Sequence, residues 1–120
     1  MSELDFVIHG PPVPWARAGS VGTVRYTPAR QRAYQRLVRT VAMAAIARCT
    51  GWQNDRRYAV EVYVTCPDSR RRDIDNFAKQ ILDSLNGLAW LDDSQVDRLL
   101  VVRLTPDKKT PRLRIFLRYT

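Results

Sequence analysis

The sequence predicts a single α+β domain, residues 1–120, in which two main helices pack on a small mixed sheet. Three observations carry this expectation. The period of the apolar residues alternates between two and 3.6 along the chain, in the order β, α, β, α, β, β. At 120 residues and 45% hydrophobic composition the chain can build one compact core and is too short for two ordinary domains. No internal repeat or low-complexity segment interrupts the pattern.

Leu4 to His9 has the character of a short strand, and Gly10-Pro11-Pro12-Val13-Pro14 must end it, because prolines cannot continue a ladder. A loop then runs to about Thr27 and carries Trp15, Arg17 and Arg25 among glycines, a basic and partly aromatic arm suited to nucleic acid or simply an ordinary surface loop. Pro28 to Arg48 reads as a helix with Tyr34, Leu37, Val38, Val41 and Ala45 as its apolar stripe. On that helix Arg32, Arg36 and Arg39 fall at i, i+4 and i+7, sharing one face over about 10 Å. They form either a phosphate-tracking stripe or a solvated face. Tyr58 to Cys66 alternates as a half-buried strand. From Ile74 the spacing of Phe77, Ala78, Ile81, Leu82 and Leu85 predicts a packed helix that ends near Asn86-Gly87. Val96 to Leu104 and Arg112 to Tyr119 read as two further strands, joined as a hairpin through Pro106 to Thr110. In the last of these, Leu113, Ile115, Leu117 and Tyr119 alternate with Arg112, Arg114 and Arg118, one face apolar and the other cationic.

Charge narrows the function. Twenty Lys and Arg against 12 Asp and Glu leave a net charge of +8, and most of the cations are arginine, whose planar fork suits phosphate. Nucleic acid is the favoured partner, although composition alone leaves membrane surfaces and acidic proteins open. No apolar run approaches the length needed to span a bilayer. The start of the chain lacks a secretory signal, and Cys49 and Cys66 have no metal-ligand spacing, so a reducing cytoplasm is expected.

Within this basic chain, Arg70-Arg71-Arg72-Asp73-Ile74-Asp75-Asn76, Lys79 and Trp90-Leu91-Asp92-Asp93 set carboxylates among arginines. A protein that only holds nucleic acid gains nothing from acids there, since each repels phosphate, whereas one that cuts the backbone needs carboxylate oxygens to hold Mg²⁺ or Mn²⁺. Asp73 and Asp75 stand two apart at the start of the second helix and can face one cation, and Lys79 follows Asp75 by one turn. Asp93 joins them only if the turn after the helix comes back toward its start. Structural alternatives exist for each: Asp73 as a helix cap, Asp75 as a residue favoured by the helix dipole, and Asp75 with Lys79 as an exposed ion pair. A zinc cluster and a Ser-His-Asp arrangement lack their parts, because His9 is the only histidine, and the glycines are too scattered for a phosphate loop.

Pro67-Asp68, the run Arg70 to Asn76, Lys79 and Trp90 to Val96 together resemble the RusA family of Holliday junction resolvases, small endodeoxyribonucleases often carried by phages and prophages. Gly10 to Pro14 with Arg17, and Arg25-Tyr26-Thr27-Pro28, extend the resemblance over nearly the whole chain. It implies a homodimeric, Mg²⁺-dependent enzyme that binds four-way DNA junctions and nicks two opposed strands symmetrically. It further implies that Asp73, Asp75 and Asp93 hold the metal, with Asp92 the weaker candidate of its pair, and that Lys79 is catalytic. Arg17, Arg25, Arg32, Arg36, Arg39, Arg70, Arg71 and Arg72 are the candidate DNA contacts. Two rivals remain: a less selective branched-DNA or flap nuclease with the same site, and a non-catalytic DNA-binding protein whose acids are caps and ion pairs.

Overall fold

The computed structural model describes residues 2–16, 19–21, 24–26 and 29–119. Its strands are β1 (Ser2–His9), β2 (Gly19–Val21), β3 (Val24–Tyr26), β4 (Tyr58–Thr65), β5 (Val96–Arg103) and β6 (Arg112–Tyr119). Its helices are α1 (Ala29–Arg48) and α2 (Ile74–Leu85), with one 3-10 turn at Asp93–Gln95. The α+β architecture is as expected: β1-β6-β4-β5 form one mixed sheet, in which only β4 and β5 run parallel. Among the described residues no helix is long and apolar enough to cross a membrane.

Alternation fixes which sheet face is buried. Leu4, Phe6 and Ile8 of β1, Val60, Val62 and Val64 of β4, and Leu113, Ile115 and Leu117 of β6 join Tyr34, Val38, Phe77, Ile81 and Leu85 of the helices in one core. The opposite face bears the β6 arginines, but it is not simply cationic. Arg114 pairs with Asp5 at 2.9 Å and Arg118 with Glu61 at 3.5 Å, so neighbouring strands answer much of that charge.

Three expectations need correction. β5 and β6 do not form a hairpin, because β4 lies between them. After β5 the Leu104 N–H still donates to Val64 O and the Asp107 N–H donates to Cys66 O, each at 2.9 Å, so the chain follows β4 past its end before crossing it. The alternating valines of β4 make it the strand best suited to a central place, and that preference overrides sequence adjacency. Second, the segment read as one loop before α1 contains two short antiparallel strands, β2 and β3, with Val21 opposite Val24.

Third, the buried stripe of α1 is rotated: Gln31, Tyr34, Val38, Ala42 and Ala45 face inward, while Leu37 is exposed. The partner helix explains this. Gln80 of α2 is fully buried, donates to Gln31 O at 3.3 Å and accepts from Gln35 Nε2 at 3.0 Å. Leaving such an amide unsatisfied costs about 1–3 kcal/mol, so α1 turns its glutamines toward α2. Correspondingly Gln80 and Ser84 are buried on α2, whereas Ile74 is exposed.

Candidate active site along the second helix

The crossover from β4 to the parallel strand β5 runs through α2, and the arginine run forms the loop that enters it. That loop is braced from within. Arg72, nearly buried, donates to Asp68 Oδ1 at 2.8 Å and to the carbonyls of Asp68 and Arg70, each at 3.3 Å. Arg103, at the end of β5, donates to the carbonyls of Arg72 at 2.9 Å and Arg70 at 2.7 Å. The Arg72 guanidinium, helped by the Arg70 N–H, holds the Asp68 carboxyl below the usual carboxylate range. Two arginines therefore shape the loop, and Arg70 and Arg71 are left exposed.

Asp73 occupies the N-cap position of α2 with extended backbone, yet its carboxylate makes no cap hydrogen bond. Its cap role, open on sequence, is thus one of position only. The helix dipole favours the charges of both Asp73 and Asp75 at this end, and both residues are exposed. Lys79, one turn on, forms no ion pair with Asp75 among the described residues; its ammonium stands 4.4 Å from the centre of the Trp15 ring.

The Trp90-Leu91-Asp92-Asp93 segment divides labour between its acids. Asp92 caps the 3-10 turn: its carboxylate accepts from the Ser94 N–H at 3.0 Å while Gln95 Oε1 accepts from the Asp92 N–H at 2.8 Å. The Ser94 hydroxyl and N–H hold the Asp92 carboxyl below its usual range. Asp93 is half-buried, and its Oδ1 accepts from Trp90 Nε1 at 2.8 Å. Trp90 is itself immobilised, fully buried beside Tyr58, which packs in turn against Trp52 and Tyr119. Trp52 closes the bed by donating to Ala89 O at 3.0 Å.

The structure does not gather the predicted metal acids into one cage. Among the described residues no group of three or more His, Cys, Asp or Glu side chains converges in metal-holding geometry. Because β4 and β5 are parallel, with Tyr58 near Val96, the chain must return along α2 before β5 begins. Asp93 accordingly lies within electrostatic range of Asp83, as does Lys79. Asp83 was not singled out from the sequence, although it follows Asp75 and Lys79 at i+8 and i+4 on one helical face. Burial, reinforced by the Asp93 charge and opposed by Lys79, raises its carboxyl above the ordinary value. Trp90 is part of the motif read from the sequence, but its positioning role was not; nothing in the sequence marks Arg103, which braces the entry loop.

The other DNA candidates fare unequally. Arg32 and Arg36 are exposed on α1. Arg39 instead turns inward and donates to Ser84 O at 2.9 Å and Asn86 O at 3.2 Å, closing the C-terminal end of α2. Its guanidinium is committed to the fold, which shortens the stripe. Arg17 and the side chain of Arg25 lie outside the described residues.

Comparison with known proteins identifies the family. The family model described as Endodeoxyribonuclease RusA matches residues 9–118. A crossover junction endodeoxyribonuclease of Enterobacteria phage HK97 is 32% identical over 108 residues, covering 86% of this chain and 84% of that protein. Proteins of the same name from Escherichia coli K12 and Shigella sonnei Ss046 are each 42% identical over 59 residues, 47% of this chain and 48% of theirs. On the extent of the model match and of the phage relative, the chain belongs to the RusA family of endodeoxyribonucleases.

Proposed function

We propose that this protein is a structure-selective endodeoxyribonuclease that resolves four-way DNA junctions by divalent-cation-dependent hydrolysis, working as a homodimer. The relatives' names describe crossover-junction cleavage, and that substrate carries over with the family. The observation that supports it most directly is that Asp73 makes no cap hydrogen bond and Asp93 keeps one carboxylate oxygen without a partner among the described residues. One stands at a helix N-cap without capping, and the other is aimed by a buried indole while its neighbour Asp92 does the structural work.

The donor set fits a hard cation. Asp73, Asp75 and Asp93 offer only carboxylate oxygens, which suits Mg²⁺ or Mn²⁺ and not zinc. Mg²⁺ is commonly held by one or two carboxylates completed by substrate phosphate and water, so the lack of an all-protein cage is compatible with this use. When bound, such an ion polarises the scissile phosphate and lowers the pKa of the attacking water. Lys79, one helical turn after Asp75, supplies a positive charge for the negative charge that develops on the phosphate. Trp90 keeps Asp93 oriented by occupying one of its oxygens. Arg70, Arg71, Arg32 and Arg36 are the exposed groups available to hold flanking phosphates.

A homodimer follows from the substrate. An open junction has near two-fold symmetry, and two symmetric subunits each carrying one site would cut opposed strands in a paired manner. Sedimentation at micromolar concentration should give twice the 13.9 kDa chain mass; a species at the chain mass alone would remove the dimer. The activity is tested by offering labelled junction, linear duplex and flap at equal concentration. Selective cutting of the junction at two symmetric positions is expected, and equal cutting of all three would leave a general nuclease.

A further inference from the structure

Trp15 belongs to no helix or strand, yet its main chain is pinned on both sides. Its N–H donates to Asn76 O in the first turn of α2 at 3.0 Å, and the Ala16 N–H donates to Oε1 of buried Gln31 at 2.8 Å. Upstream, Pro11, Pro12 and Pro14 each fix a backbone dihedral, and Pro12 is buried. A stiffened segment therefore delivers the indole to α2, where its half-buried ring lies 4.4 Å from the Lys79 ammonium.

The chemistry of that contact matters. Had the ammonium closed on Asp75, four residues earlier, the pair would have cancelled a positive charge the site needs and occupied a carboxylate it also needs. An indole face attracts the ammonium through its quadrupole without neutralising it, and such a contact shifts an equilibrium by about two- to thirtyfold. A lysine on an exposed helix face otherwise spreads over many rotamers.

We infer that Trp15 is a positioning residue for Lys79, holding its ammonium charged, ordered and off Asp75 so that it meets the scissile phosphate. The inference rests on the catalytic role of Lys79 proposed above. It assigns Trp15 no direct bond to the reacting atoms.

The test combines a spectroscopic and a kinetic readout on the full chain. Only three lysines exist, and the other two, Lys108 and Lys109, are exposed in the β5–β6 connection, so lysine-labelled protein gives a readable spectrum. The ε-methylene signal of Lys79 should be shifted upfield by the ring current and should return to its ordinary position in Trp15→Leu. In single-turnover cleavage of a four-way junction, Trp15→Leu should be slower by about two- to thirtyfold, the size of one such contact, with junction Kd unchanged. Trp15→Phe should recover most of the rate, and in a Lys79→Met background Trp15→Leu should change nothing further.

Equal rate losses from Trp15→Leu in both backgrounds, or weakened junction binding as the main effect, would overturn the inference in favour of base stacking or a purely structural role. A Lys79→Met protein cutting at the original rate would overturn it from beneath, and the ring-current shift persisting in the parent protein would identify the role of Lys79, not the contact, as what failed.

Discussion

Replacing Trp90 with Phe separates aiming from packing at Asp93. The substitution keeps an aromatic ring in the bed of Tyr58, Trp52 and Tyr119 but removes the N–H that donates to Asp93 Oδ1 at 2.8 Å. A hydrogen bond to a charged group is worth about 1.5–3 kcal/mol, and half-buried Asp93 recovers part of that from water, leaving a loss of about 1–2 kcal/mol. Trp90 is fully buried, so the space vacated by the smaller ring adds a further loss of about 1–2 kcal/mol. Together these lower the melting temperature by about 8–16 °C for a chain of this length. Losing a group that orients a metal ligand typically costs 10–100-fold in metal affinity or activity, and the same range is expected here for junction cleavage at a temperature where the variant is folded. Tyr58→Phe is the control: it loses the hydroxyl bonds to Gln53 O and the Arg56 N–H in the same bed and should lose stability without losing cleavage. Equal loss of cleavage in both variants, or Trp90→Phe cutting within twofold of the parent, would refute the view that the indole aims Asp93.

The two acids of the Trp-Leu-Asp-Asp segment should respond oppositely: Asp93→Asn abolishes cleavage with little unfolding, whereas Asp92→Asn loosens the 3-10 turn and leaves cleavage measurable, as paired cleavage and denaturation curves will show. Asp68 carries a pH prediction. Its carboxyl is held below the unfolded value of about 3.9, so its stabilising effect is present above that value and is lost as pH falls through the lower, folded one. Urea midpoints should therefore favour the parent over Asp68→Asn by a constant margin from about pH 5 to 8, with the margin shrinking below about pH 4. The arginines of α1 should also divide. Arg32→Ala with Arg36→Ala should flatten the salt dependence of junction binding, while Arg39→Ala should instead cost about 1–2 kcal/mol of stability by releasing the α2 carbonyls, read in the same binding and unfolding assays.

How much of this was legible in the sequence depends on whether the determining contacts are local. Both main helices, the strand alternation and the placing of Asp73 and Asp75 at the start of α2 depend on spacing within one element, and all were readable. The order of strands was not, because the insertion of β6 between β1 and β4 reflects which strand is buried most completely, a property of the whole sheet. The rotation of both helix stripes depends on Gln80, Gln31 and Gln35 satisfying one another across the interface, which apolar periodicity cannot register. The structural role of Asp92 was within reach. Asp92-Asp93-Ser94-Gln95 has capping-box spacing, and that signal assigns Asp92 to the turn. Where Asp93 lies along α2 was left open by the sequence, because it depends on the parallel pairing of β5 with β4, which makes the chain retrace the helix before β5 begins.

The central claim is that the acids along α2 serve hydrolysis and not folding or DNA binding alone. It is tested most directly by labelled four-way junction incubated with Mg²⁺ or with EDTA, using the parent protein and Asp75→Asn, with junction binding measured in parallel. The account expects paired nicks with Mg²⁺ that vanish with EDTA and fall at least about a hundredfold in Asp75→Asn while the variant still binds the junction. Cleavage that persists in EDTA or in the variant would contradict it, and tight binding by the parent protein without any cleavage would leave a DNA-binding module in its place.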